Sequence, residues 1–133
     1  MVKWQTQRVP AGYDLLAPDG SEIRRLVQVD GGSMVYCTLP PGQVTRAVKH
    51  RTVEELWFCV AGAGEVWRQD VATLRAEIVP LTAGVAITIP VGTAFQLRQM
   101  GARPLELVIT TLPPWPGPDE ALPIAGAWEA RPA

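Results

Sequence analysis

Turn-forming residues punctuate this chain at intervals of about ten residues, and that rhythm limits what it can fold into. The signals are Asp19-Gly20, Asp30-Gly31-Gly32, Pro40-Pro41-Gly42, Gly62-Ala63-Gly64, Ala83-Gly84, Pro90-Val91-Gly92 and Gly101. Glycine reaches the positive φ angles of tight turns and proline fixes its own φ, so such clusters end one element and begin the next. The runs between them are short and rich in β-branched and aromatic residues, which suit a pleated, half-buried surface. They predict strands at Glu22–Val29, Ser33–Leu39, Gln43–His50, Glu55–Val60, Glu65–Gln69, Leu74–Val79, Val85–Ile89, Ala94–Gln99 and Leu105–Leu112. No window holds a long apolar period of about 3.6 residues with caps, so no long helix is expected. An all-β sandwich or barrel follows.

At 133 residues the chain is expected to form one domain, with a barrel core at about 22–112 and a tail at 113–133. Twelve basic and thirteen acidic side chains leave a net charge of −1. That balance gives no electrostatic attraction toward nucleic acid or an anionic membrane, and neither is expected as a partner. Both cysteines, Cys37 and Cys59, lie in apolar runs. They read as buried free thiols and point to the reducing cytoplasm, with a disulfide between them as the alternative. The opening residues Met1–Arg8 lack the apolar core of a secretory signal, and no apolar stretch is long enough for a membrane span.

Strand alternation in Glu55-Leu56-Trp57-Phe58-Cys59-Val60 puts Glu55, Trp57 and Cys59 on one face and Leu56, Phe58 and Val60 on the other. Both faces are mainly apolar, so both are expected to be covered, the outer one by a second copy in a homodimer. The tail begins Pro113-Pro114-Trp115-Pro116-Gly117-Pro118, which forms neither helix nor central strand. With Trp115 and Trp128 it is too apolar for a free end, and it is expected to lie extended on the barrel or on a dimer partner.

Two spaced motifs carry the chemistry. From Gly42, seven residues lead to His50, four more to Glu55 and six more to Gly62. From Gly84, five residues lead to Pro90, one to Gly92, two to Phe95 and three to Gln99. This resembles the paired signatures of the cupin superfamily: Gly, His-x-His, Glu, Gly in the first, then Gly, Pro-x-Gly, His, Asn in the second. The glycines and the proline all agree. The resemblance implies a single small jelly-roll β-barrel with the motif residues facing its hollow. Metal-binding members take two histidines and the glutamate from the first motif and a histidine from the second. Here the first histidine place is Val48 and the second is His50; Glu55 keeps the glutamate place. The second-motif histidine place is Phe95, and the asparagine place is Gln99. His50 is the only histidine in the chain. No resident cofactor is expected; any divalent metal would rest on His50 and Glu55 alone and be held weakly.

The expected hollow is lined by Val48, Trp57, Phe95 and Leu97, with His50, Glu55 and Gln99 as polar points. Arg46 joins them if the strand alternates regularly back from His50; whether Tyr36 or Cys37 faces in stays open. Apolar walls with a few convergent polar groups suit an unidentified small-molecule ligand. Binding without the usual metal centre is the favoured function. The alternatives are a metal-dependent isomerase or oxygenase with an incomplete ligand set, and a structural or regulatory dimeric module. His50 and Glu55 would form an acid/base pair if the carboxylate orients the imidazole, as resembles the histidine base of metal-free sugar-nucleotide epimerases. No nucleophile or oxyanion pattern accompanies them. Trp57 and Trp67 suit either ligand stacking or core packing. Gly62-Ala63-Gly64 reads as a hairpin turn.

Overall fold

The structure, a computed structural model, describes residues 2–132. Eleven strands follow in chain order: β1 (Leu15–Leu16), β2 (Glu22–Val29), β3 (Gly32–Leu39), β4 (Val48–His50), β5 (Glu54–Ala61), β6 (Ala63–Asp70), β7 (Ala76–Thr82), β8 (Ala86–Ile89), β9 (Thr93–Met100), β10 (Leu105–Leu112) and β11 (Ala121–Pro123). One short 3-10 turn covers Pro118–Glu120. Strands β1-β2-β3-β10-β5-β8 form one sheet, and β11-β4-β9-β6-β7 form the other. Ladders throughout are antiparallel. The chain is an all-β jelly roll.

Side-chain alternation builds the core. In β10, Leu105, Leu107, Ile109 and Thr111 point inward and are buried, while the residues between them are half-buried. Across the ladders Leu107 is level with Cys37 on β3 and Cys59 on β5, and Ile109 with Val35 and Trp57. Burying each large apolar side chain in this layer contributes roughly 2 kcal/mol. The β5–β6 hairpin turns on Gly62 with φ 78°. A Cβ at Gly62 would sit 2.0 Å from the Pro104 carbonyl oxygen, so both the angle and the space demand glycine there.

Two predicted strands begin two or more residues later in the structure. The run expected as Gln43–His50 pairs regularly only over Val48–His50. Its earlier amides are claimed elsewhere: Val44 N–H donates to Arg131, Arg46 N–H to Asp19 and Thr45 N–H to Leu97. The strand expected from Leu74 starts at Ala76, because Leu74 turns at φ 65° and donates to the Asp70 carbonyl.

The tail lies along the five-stranded sheet. β11 adds to the edge of β4, with Ala121 level with His50. Glu120 is buried, and its Oε1 accepts from Thr52 N–H, Thr52 Oγ1 and Val53 N–H. Further on, Trp128 exchanges two hydrogen bonds with the Gln96 side chain and lies 4.4 Å from the Arg98 guanidinium. Ile124 and Trp128 pack on Trp67, Ala47 and Ala94, so Trp67 is a packing residue under the tail. On the opposite sheet, residues 5–14 bond to β2, while the outer face of β5 stays open: Leu56 is 51% exposed and Phe58 47%.

Candidate functional site

The barrel encloses a cavity of about 630 Å³. Three strands supply its motif residues: β4 gives Val48 and His50, β5 gives Glu55 and Trp57, and β9 gives Phe95 and Leu97. Within each strand the pairs are two residues apart, which is why both members face inward. Val48 and Phe95 are register partners across β4 and β9. Glu55 is level with Thr111 on β10, and Trp57 with Ile109.

His50 is 7% exposed, its ring set edge-on against Phe95 at 5.1 Å and Trp115 at 5.0 Å. Burial pushes its pKa down to about 4, against the opposing pull of the Glu120 charge and a backbone hydrogen bond to Val53. The imidazole is therefore neutral at pH 7. Its Nδ1 is buried without a hydrogen-bond partner. Glu55 accepts a 2.8 Å hydrogen bond from Trp57 Nε1. Burial raises its pKa to about 7; the Trp57 hydrogen bond opposes this and the Asp19 charge adds to it. Glu55 Oε2 stands 4.0 Å from His50 Nδ1, too far for a hydrogen bond. The carboxylate is held by the indole and does not orient the imidazole, so the alternative of an acid/base pair lacks its coupling.

Three residues expected at the hollow lie elsewhere. Tyr36 faces the outside of the barrel beside Glu106 and Arg24, and Cys37 takes the inward place. Arg46 is exposed, because the irregular backbone before β4 breaks the alternation that would have turned it in. Gln99 is buried on the same face of β9 as Leu97, one repeat beyond the cavity wall. Its Oε1 accepts from Gly42 N–H, and its Nε2 donates to the carbonyls of Met100, Gly101 and Arg103. That set ties two loops together and leaves Gln99 no free donor for a ligand.

Other lining residues went unnoticed in the sequence. Asp19 and Ser21 reach the cavity from the loop before β2, with Asp19 Oδ1 accepting from the Ser21 amide and hydroxyl. Burial raises the Asp19 pKa despite those bonds and the nearby Arg46 charge. Arg25, at the β2 register shift, and Trp115, from the tail, also border the cavity. Trp115 is fixed by its N–H, which donates to Ser33 Oγ at 3.2 Å, and Ser33 is bonded in turn to Thr111. The Pro-flanked tryptophan was the one available signal. The free thiols Cys37 and Cys59 are both buried.

Residues 35–111 match the cupin domain family, more than half of the chain. The chain belongs to the cupin family. A relative of this cupin is the uncharacterized protein MJ1618 of Methanocaldococcus jannaschii, 30% identical over 112 residues, 77% of this chain and 85% of that protein. Among solved structures it resembles a predicted oxalate decarboxylase from Thermotoga maritima with a TM-score of 0.64 and 17% identity, covering 80% of this chain and 98% of that one. It also resembles the capsular polysaccharide assembling protein CapF from Staphylococcus aureus, with a TM-score of 0.67 and 17% identity over 78% of this chain, which spans 32% of that protein. At these identities the structural likeness concerns the fold.

Members of the family often hold a metal in the barrel. In this cupin two of the four ligand places carry the apolar side chains Val48 and Phe95. Among the described residues no group of three or more His, Cys, Asp or Glu side chains is gathered to hold an ion. The residues present do not fit the usual metal centre. No helix among the described residues is long and apolar enough to cross a membrane.

Proposed function

We propose that this cupin binds a small, largely apolar organic molecule inside its barrel and does so without a three-ligand metal centre. The observation that carries this reading is the orphaned Nδ1 of His50 in the wall of an apolar cavity. A buried polar atom without a partner costs about 1–3 kcal/mol, a cost that a bound ligand would offset. The volume of about 630 Å³ lies within the usual range of ligand pockets. Metal-dependent chemistry has less support, since His50 and Glu55 would be its only motif ligands. The near-neutral charge balance supports a small molecule over nucleic acid or membrane as the partner, and the two free thiols support a cytoplasmic setting.

Screening small organic molecules by thermal shift tests the reading. A ligand is expected to raise the melting temperature with concentration, and Phe95→Trp, which narrows the cavity beside His50, is expected to reduce that rise. Failure of every compound class, or a rise that is the same in the narrowed variant, would refute it.

A second observation favours a homodimer. Leu56, Phe58, Val108, Thr110 and Ala86 form a mainly apolar patch on the outer face of the six-stranded sheet, with Arg68 at its border. A second copy meeting this face would cover it symmetrically, as the tail covers the other sheet.

A further inference from the structure

We propose that the ligand is an organic amine, bound as its ammonium form with the nitrogen seated between Glu55 Oε2 and His50 Nδ1. This rests on the reading of the barrel as a binding site and names the class of molecule it takes.

Both flanking atoms accept hydrogen bonds when Glu55 is ionised, the form that an adjacent ammonium favours over the protonated one. Nδ1 is buried and has no hydrogen-bond partner, which leaves it free to act as the acceptor nitrogen of the ring. A neutral imidazole that donates from one nitrogen presents a lone pair on the other. On Glu55, Oε1 is taken by Trp57 and Oε2 is directed toward His50. The two acceptors are 4.0 Å apart, too far to serve each other, yet a single atom can lie about 2.8 Å from both. An ammonium has enough N–H bonds to satisfy the pair at once. An alcohol has one proton to give, and a carboxylate has none.

The surroundings agree with a positive charge. The cavity is bordered by two carboxyl side chains, Asp19 and Glu55. Among the described residues, Arg25 is the one lysine or arginine on its lining, and it is exposed at the rim. The rings of Trp57 and Phe95 are 5.3 Å apart, and Phe95 and Trp115 both contact His50, so aromatic groups surround the seat. Such rings attract organic cations. Leu97 and Ile109 leave apolar wall for the rest of the molecule.

The test compares head groups on one skeleton with the full chain: phenethylamine, 2-phenylethanol and 3-phenylpropanoate, each titrated in a thermal-shift assay and checked by equilibrium dialysis. The amine alone is expected to bind. Glu55→Gln is expected to weaken amine binding roughly tenfold or more, as is usual when a charged hydrogen-bond partner is removed. His50→Leu removes the second acceptor and is expected to weaken it independently. Equal binding of the alcohol or the carboxylate, or amine affinity unchanged in either variant, would overturn the amine assignment and leave the binding reading standing. If none of the three head groups binds, the amine assignment falls, and the binding reading then stands or falls with the wider screen.

Discussion

Val48 and Phe95 face each other across the β4–β9 ladder, buried in the cavity wall beside His50. They hold the places at which metal-binding relatives of the family present histidines, so the barrel keeps the framework of a metal centre with half its donors replaced by hydrocarbon. Restoring the donors is expected to restore the centre. The double variant Val48→His, Phe95→His joins His50 and Glu55 to give four ligands, and it should bind nickel or zinc tightly by isothermal titration, with each three-ligand single variant binding more weakly than the double. Tight binding by the parent protein in the same assay would contradict this.

The opposed shifts of His50 and Glu55 predict a pH signature. Glu55 is raised from 4.5 to about 7, so between these values the folded state holds a proton that the unfolded state has lost. Its contribution to stability is full below pH 4.5 and is lost as pH rises through about 7. His50 is lowered from 6.5 to about 4; its contribution is present above pH 6.5 and is lost as pH falls through about 4. In the parent the two slopes offset each other over the shared window. His50→Asn should unmask a fall in stability from pH 4.5 to 7, and Glu55→Gln a rise from pH 4 to 6.5. Each slope should span on the order of 3 kcal/mol in urea titrations. Asp19 acts in the same direction as Glu55 in every variant and drops out of the comparison. Parallel pH profiles in the parent and both variants would contradict the environments assigned here.

Glu120 anchors the tail through three hydrogen bonds from Thr52 and Val53. Glu120→Ala removes these bonds and leaves the buried Val53 N–H unpaired, and it should destabilise the fold by about 1–3 kcal/mol. It should also release Trp115 from His50, read as a red shift in tryptophan emission at native temperatures. An unchanged denaturation midpoint would mean that the tail is held by β11 and Trp128 alone.

The mainly apolar outer patch makes Phe58→Glu informative. If two copies meet there, this variant should sediment as a monomer or precipitate, while the parent sediments as a dimer. An unchanged dimer would remove Phe58 from the interface, and a monomeric parent would refute the dimer itself.

Much of the barrel was legible because its signals are local. The turn glycines and the alternation in β5 specify strand ends and faces within a few residues, and β2 and β10 match their expected bounds. The same parity argument brought His50, Glu55, Val48, Trp57, Phe95 and Leu97 to one hollow. It failed where long-range bonds override alternation. Arg46 turns outward because Asp19, from a loop distant in sequence, takes its amide hydrogen. Gln99 lies on the expected face, but its position along the strand puts it among loop carbonyls that satisfy it fully. Strands as short as β1 and β11 have too few residues to show a period. The contributions of Asp19 and Trp115 depend on where the two ends of the chain cross the barrel, which no local pattern encodes.

The most direct test of the central claim is the metal content of the protein purified without chelators, measured by elemental analysis. The account predicts transition metal well below one ion per chain, unchanged in His50→Ala. Close to one ion per chain in the parent, lost in His50→Ala, would contradict it.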